Sequence, residues 1–93
     1  MLSSVPVNIE RLEGNELDRE ILRAAIIAEY DAINLYNQMA ALTANEDLKK
    51  VLLDIAKEEK THVGEFQALL LRTDPEHARE LEHGKEEVEE LIG

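Results

Sequence analysis

Two long apolar stripes at helical spacing dominate this sequence, and each is broken in its middle by a residue that a hydrophobic interior rejects. The first stripe is Leu17, Ile21, Leu22, Ala25, Ile26, Glu29, Ile33, Tyr36, Met39 and Ala40. The second is Leu48, Leu52, Ile55, Glu59, His62, Phe66, Leu69 and Leu70. Stripes of this length and period specify long amphipathic helices, whose apolar faces must be covered by something. They also raise a question of charge: Glu29 on one helix, and Glu59 with His62 on the other, sit where a core is expected.

The punctuation fixes the elements. Asn15 is a good N-cap, followed by Glu16 and Asp18, whose charges favour a helix N-terminus; the first helix then runs to about Thr43. Asn45 caps the second, which continues to about Arg72. The connection near Ala44 is so short that the two helices must lie antiparallel. Asp74-Pro75-Glu76 opens a shorter third segment, which Gly84 is expected to interrupt before Lys85 to Ile92. Its apolar content is thin, so it is expected on the outside of an assembly. Residues 1–14 read as a leader, and residues 15–93 as one domain of class all-α, two long antiparallel helices plus a short C-terminal helix.

Composition narrows the function. A chain of 93 residues is near the size at which one core suffices for folding, and oligomerisation relieves that limit. Three aromatics and two prolines suit helices rather than a sheet sandwich. A net charge of −11 repels phosphate backbones and anionic lipid, which argues against nucleic-acid and membrane partners and makes cations the natural small ligands. There is no cysteine, so thiolate metal sites and disulfides are excluded. Met1 to Val7 lacks the basic and apolar regions of a secretory signal, and the expected location is cytoplasmic.

An ionised carboxylate taken out of water without compensation costs several kcal/mol, comparable with the whole stability of a small domain. Four kinds of compensation are available: a basic partner, a proton, water at an open seam, or a metal ion. Arg23, Lys57 and Lys60 point away from the stripes, and a divalent cation neutralises the cluster best. Glu59 and His62 are three positions apart and project side by side from one helical face. The spacing alone is a weak signal. Glu80-Leu-Glu-His83 repeats it off any strong apolar line and reads as solvated, as does His77, while Met39 reads as core.

One hairpin offers three ligands, too few to enclose a pair of ions. Di-iron carboxylate bundles take one Glu from each of two helices and Glu-x-x-His from each of the other two, and this chain encodes half of that set. Two copies about a two-fold axis complete a four-helix bundle, and two glutamates from each of two chains balance two divalent cations. The competing reading is a helical interaction module in which Glu and His merely specify dimer register. Zinc and copper bind such ligands at least as well as Fe(II), so occupancy alone does not discriminate.

The stretches Ile26-Ile-Ala-Glu-Tyr-Asp-Ala-Ile-Asn-Leu-Tyr36 and Ala56-Lys-Glu-Glu-Lys-Thr-His-Val63 resemble the two metal-binding helices of the encapsulated ferritins, ferritin-like proteins held inside encapsulin shells. The match covers roughly residues 16 to 75. The resemblance implies an iron-binding ferroxidase whose di-iron centre forms between subunits, in a decamer of five dimers within an encapsulin nanocompartment. It implies Glu29, Glu59 and His62 as metal ligands and, with Tyr36 beside the centre, as the catalytic set. Asp31 matches one position of an acidic iron entrance, but Ala28 stands where another acid occurs, and Leu35 where some members have tryptophan. No shell-targeting peptide follows Ile92-Gly93, which suggests either its removal or fusion to the shell protein. A rubrerythrin-like di-metal peroxidase uses similar ligands, and the lack of rubredoxin-like cysteines weakens that alternative. Gly64, inside a helix at a cost of roughly 1 kcal/mol relative to alanine, suggests close backbone approach by the third helix or by a neighbouring dimer.

Overall fold

The computed structural model describes residues 14–93 as three helices: α1 (Gly14–Leu42), α2 (Glu46–Thr73) and α3 (Pro75–Ile92). The leader, residues 1–13 of it at least, lies outside the described residues. Helix α1 starts at Gly14 rather than behind an Asn15 cap. Gly14 has φ 55°, a left-handed conformation that glycine tolerates, and it turns the chain into the helix. The other caps fall where the sequence places them. Asn45 Oδ1 accepts from the Leu48 backbone N–H at 3.0 Å, with Glu46 and Asp47 in the first turn behind it. Asp74 Oδ1 accepts from His77 N–H at 3.1 Å, and Pro75 occupies the first helical turn. Helices α1 and α2 form the antiparallel hairpin.

Helix α3 is continuous through Gly84, contrary to the interruption expected from sequence. One glycine lowers helix stability by about 1 kcal/mol, which is too little to break a ladder whose neighbours on both sides are good helix formers. Gly64 likewise touches nothing: a Cβ built there meets no atom within 4 Å. Close approach by the third helix is therefore excluded as its explanation.

The interior is small. The buried apolar residues are Ala32, Ile33 and Ala40 of α1 and Leu52, Ala56, Val63 and Leu70 of α2. All but Ala32 belong to one pair of facing seams with alternating steps of three and four: Leu22, Ile26, Glu29, Ile33, Tyr36 and Ala40 against Leu52, Ala56, Glu59, Val63, Phe66 and Leu70. The rest of the apolar stripe forms a second pair of seams, rotated toward one face of the hairpin. On α1 it is Ile21, Ala25, Ala28, Ala32, Leu35, Met39 and Leu42; on α2 it is Leu48, Val51, Ile55, Glu58, His62, Glu65 and Leu69. Among the described residues nothing covers most of it, Ala32 in its middle being buried: Ile21 is 45% exposed, Val51 55% and Leu69 51%. A heptad seam left in water is the signature of a bundle of which one half is present.

Helix α3 lies toward the opposite face, where Arg23, Ile26, Ile27 and Gln67 line a groove with His77 and Leu81. His77 is half-buried there instead of solvated, and Met39 is half-buried rather than enclosed. Helix α3 itself has no buried residue. Its direction is set at the elbow, where Arg19 donates from Nε (2.8 Å) and Nη2 to the Thr73 carbonyl oxygen. Arg23 Nη1 stands 3.9 Å from Asp74 Oδ2.

Candidate metal centre

The hairpin brings the two interrupted stripes together at their interruptions. Glu29 projects from the middle of α1 and Glu59 with His62 from the middle of α2, because antiparallel helices joined by a short turn place residues about equally distant from the turn opposite one another. One ligand atom from each of the three lies within 4.8 Å of the others. The acids are held inside, with side chains 18% exposed, and the histidine stands at the rim at 45%.

His62 Nδ1 is 3.4 Å from Glu29 Oε2 and 3.4 Å from Glu59 Oε2. These separations exceed the usual range of about 2.7–3.2 Å for an N–H···O hydrogen bond. Two donors bound to one ion at about 2.1 Å lie roughly 3.0–3.4 Å apart, so the spacing is compatible with joint coordination. Glu29 Oε2 is buried and makes no hydrogen bond. A buried carboxylate oxygen without a donor is unfavourable by several kcal/mol, and a cation is the partner that two carboxylates and an imidazole jointly fit. The donor set, oxygen with nitrogen, accepts iron, zinc or manganese.

The cluster lies beside a cavity of about 300 Å³ lined by Glu29, His62, Glu65, Phe66 and Leu69. The cavity is on the uncovered face, so the described residues of a single chain surround the three ligands from one side only. Arg23, Lys57 and Lys60 are all exposed and away from it, Arg23 pairing with Glu20 at 2.9 Å. Tyr36 is half-buried two turns beyond Glu29 on the same seam and outside the cluster. Asp31 is half-buried and also outside it, about 200° around the helix from Glu29 at roughly 100° per residue. Glu65 was not among the residues singled out from sequence. Its signal was available in the step of three from His62 along the second seam.

A protein-family model, Rubrerythrin, matches residues 20–92. The crystal structure of the encapsulated ferritin domain from Pyrococcus furiosus superposes with a TM-score of 0.86 at 54% identity, covering 100% of this chain and 95% of that one. The chain belongs to the encapsulated ferritins, within the rubrerythrin family. It is 57% identical over 95 residues to a ferritin-like–encapsulin shell fusion protein of Pyrococcus furiosus, covering 100% of this chain and 28% of that protein. It is 44% identical over 79 residues to an encapsulin nanocompartment cargo protein of Myxococcus xanthus, covering 85% of this chain and 58% of that protein. The chain thus spans 95% of the encapsulated ferritin domain but only 28% and 58% of the length of the two full relatives. No helix of the described residues is long and apolar enough to cross a membrane.

Proposed function

We propose that this chain is a ferroxidase subunit: two copies pair through the uncovered seams, and Fe(II) is oxidised to Fe(III) by dioxygen at a dinuclear site between them. The observation that carries this is the convergence of Glu29 and Glu59 from the seam the hairpin closes with His62 from the seam it leaves open, Glu29 Oε2 being buried and lacking a hydrogen bond.

Each side chain has a task in this reading. Glu29 and Glu59 bind or bridge the Fe(II) substrate and neutralise it, four carboxylates in the pair against two divalent ions. His62 supplies one nitrogen per ion from the rim. Tyr36 holds the surroundings of the centre rather than binding metal, and Asp31 is an acid on the route by which iron arrives. Two ferrous ions held together can deliver two electrons at once, reducing dioxygen with two protons to hydrogen peroxide as both become ferric. Phe66 and Leu69 wall the cavity and limit its water once the second chain is in place.

The dimer follows from the same argument, since neither hairpin alone covers its seam or completes the ligand set; the family resemblance implies five such dimers in a ring. A hairpin encloses no space for mineral, so storage falls to an encapsulin shell, with the assembly lying inside a cytoplasmic nanocompartment. This partner is the one that the fusion relative carries in its own chain and the cargo relative is named for.

The test is aerobic turnover. Ferrous iron added to the protein is expected to oxidise faster than in buffer, with Glu29→Ala, Glu59→Ala and His62→Ala each losing the acceleration. Unchanged rates in all three variants would favour a mere interaction module. Anaerobic iron-loaded protein challenged separately with dioxygen and with hydrogen peroxide distinguishes the ferroxidase from a rubrerythrin-like peroxidase, for which peroxide is the faster oxidant.

A further inference from the structure

Glu65 occupies a position that the ligand set above leaves unexplained. It stands three residues beyond His62 on α2, in the same uncovered seam, between His62 and Leu69. With Glu29, His62, Phe66 and Leu69 it lines the cavity of about 300 Å³ beside the cluster. No lysine or arginine lines that cavity, and no hydrogen bond or ion pair to Glu65 exists among the described residues. Nor does its own helix offer a cation one turn away, where the residues are Thr61, His62, Ala68 and Leu69. A carboxylate at a core position of a seam is tolerated when that seam closes only if positive charge meets it there.

Charge counting says which positive charge. Glu29 and Glu59 from two chains give four negative charges, enough for two divalent ions. Adding Glu65 from each chain gives six, which matches two trivalent ions; Glu58, the other acid of the uncovered seam, does not line the cavity and is not counted. We propose that Glu65 is a third carboxylate of the centre and that it selects for the trivalent state of the bound metal. Divalent ions are held by the inner four carboxylates and the two imidazoles. When the ions are trivalent, the Glu65 carboxylates turn in from the cavity wall and supply the remaining charge. The inference rests on the metal-centre reading and goes beyond it, because a ferroxidase product is trivalent whereas its substrate is not.

Redox-inert probes separate the two states. Calorimetric titration of Co(II) and of Tb(III), each alone, is made into the wild-type chain, Glu65→Gln, Glu29→Gln and Glu82→Gln, an exposed acid of α3 that controls for adventitious binding. Glu65→Gln is isosteric and lies on the surface of the single chain, so helicity by circular dichroism is expected to be unchanged. The expected result is a loss of about tenfold or more in Tb(III) affinity at the tightest site, about 1.4 kcal/mol or more, with Co(II) affinity altered by less than about threefold. Glu82→Gln is expected to change neither. Unchanged Tb(III) binding in Glu65→Gln, or equal losses for both ions, overturns the proposal. If Glu29→Gln leaves both ions bound as tightly as before, it is the metal-centre reading that falls.

Discussion

The hairpin and α3 carry the same four-residue motif, Glu59…His62 in one and Glu80…His83 in the other, and in both the histidine Nδ1 lies 3.4 Å from the glutamate Oε2. Their surroundings separate them. Glu59 is 18% exposed and faces Glu29 across a helix pair, whereas Glu80 is 66% exposed and faces solvent. His83 also turns Nε2 to Glu87 at 3.2 Å, so its two nitrogens engage acids on either side along one helix and converge on nothing. A motif becomes a site when a second element brings a third donor to the same point from across a seam. Exposed pairs like those of α3 contribute at most some tenths of a kcal/mol.

The sharpest way to break the comparison is to delete each histidine. His62→Ala is expected to abolish accelerated Fe(II) oxidation and metal-promoted association, while His83→Ala leaves the rate within about twofold; equal losses would mean that the motif acts wherever it stands. Metal should also stabilise the hairpin's assembly by mass action, about 2.7 kcal/mol at a hundredfold excess over the dissociation constant. A chelator is expected to reverse the rise in melting temperature, and Glu29→Ala to show no rise at all.

The apolar residues follow the same division. Leu70, 1% exposed, is expected to cost about 2–5 kcal/mol on truncation to alanine in urea unfolding. Leu91, 82% exposed, is expected to cost less than about 0.5 kcal/mol in an isolated chain, and a larger loss would reveal a partner for α3. In the opposite direction, Gly84→Ala and Gly64→Ala each have open space for the new methyl and are expected to add up to about 1 kcal/mol. If Gly64→Ala instead weakens association, the glycine is reserved for a neighbouring copy.

Much of this was legible in the residues. The hairpin followed from two periodic stripes and a turn too short for any other arrangement, and the caps Asn45 and Asp74 sit where their side chains were expected to act. Glu29, Glu59 and His62 were visible because each violates an apolar stripe, and a violation is informative where the surrounding pattern is strong. The same reasoning failed where the pattern is weak. Gly84 reads as a break because no strong pattern nearby outweighs its low helix propensity, although the ladder continues through it. Glu65 is not legible in a stripe that reads as one broad face; the packing of the hairpin divides that face into a closed seam and an uncovered one, with Glu65 on the latter. Arg19 reaches a carbonyl 54 residues away, a contact that no local periodicity encodes.

That long-range contact ties together two motions that would otherwise be separate. The Thr73 carbonyl ends α2 and Asp74 begins α3, while both of their arginine partners belong to α1. Sliding α1 along α2 by even one turn would carry Arg19 about 5 Å from its acceptor and release the angle of α3. The outlying helix is therefore a gauge of alignment: its orientation can hold only while Glu29 stays level with Glu59 and His62.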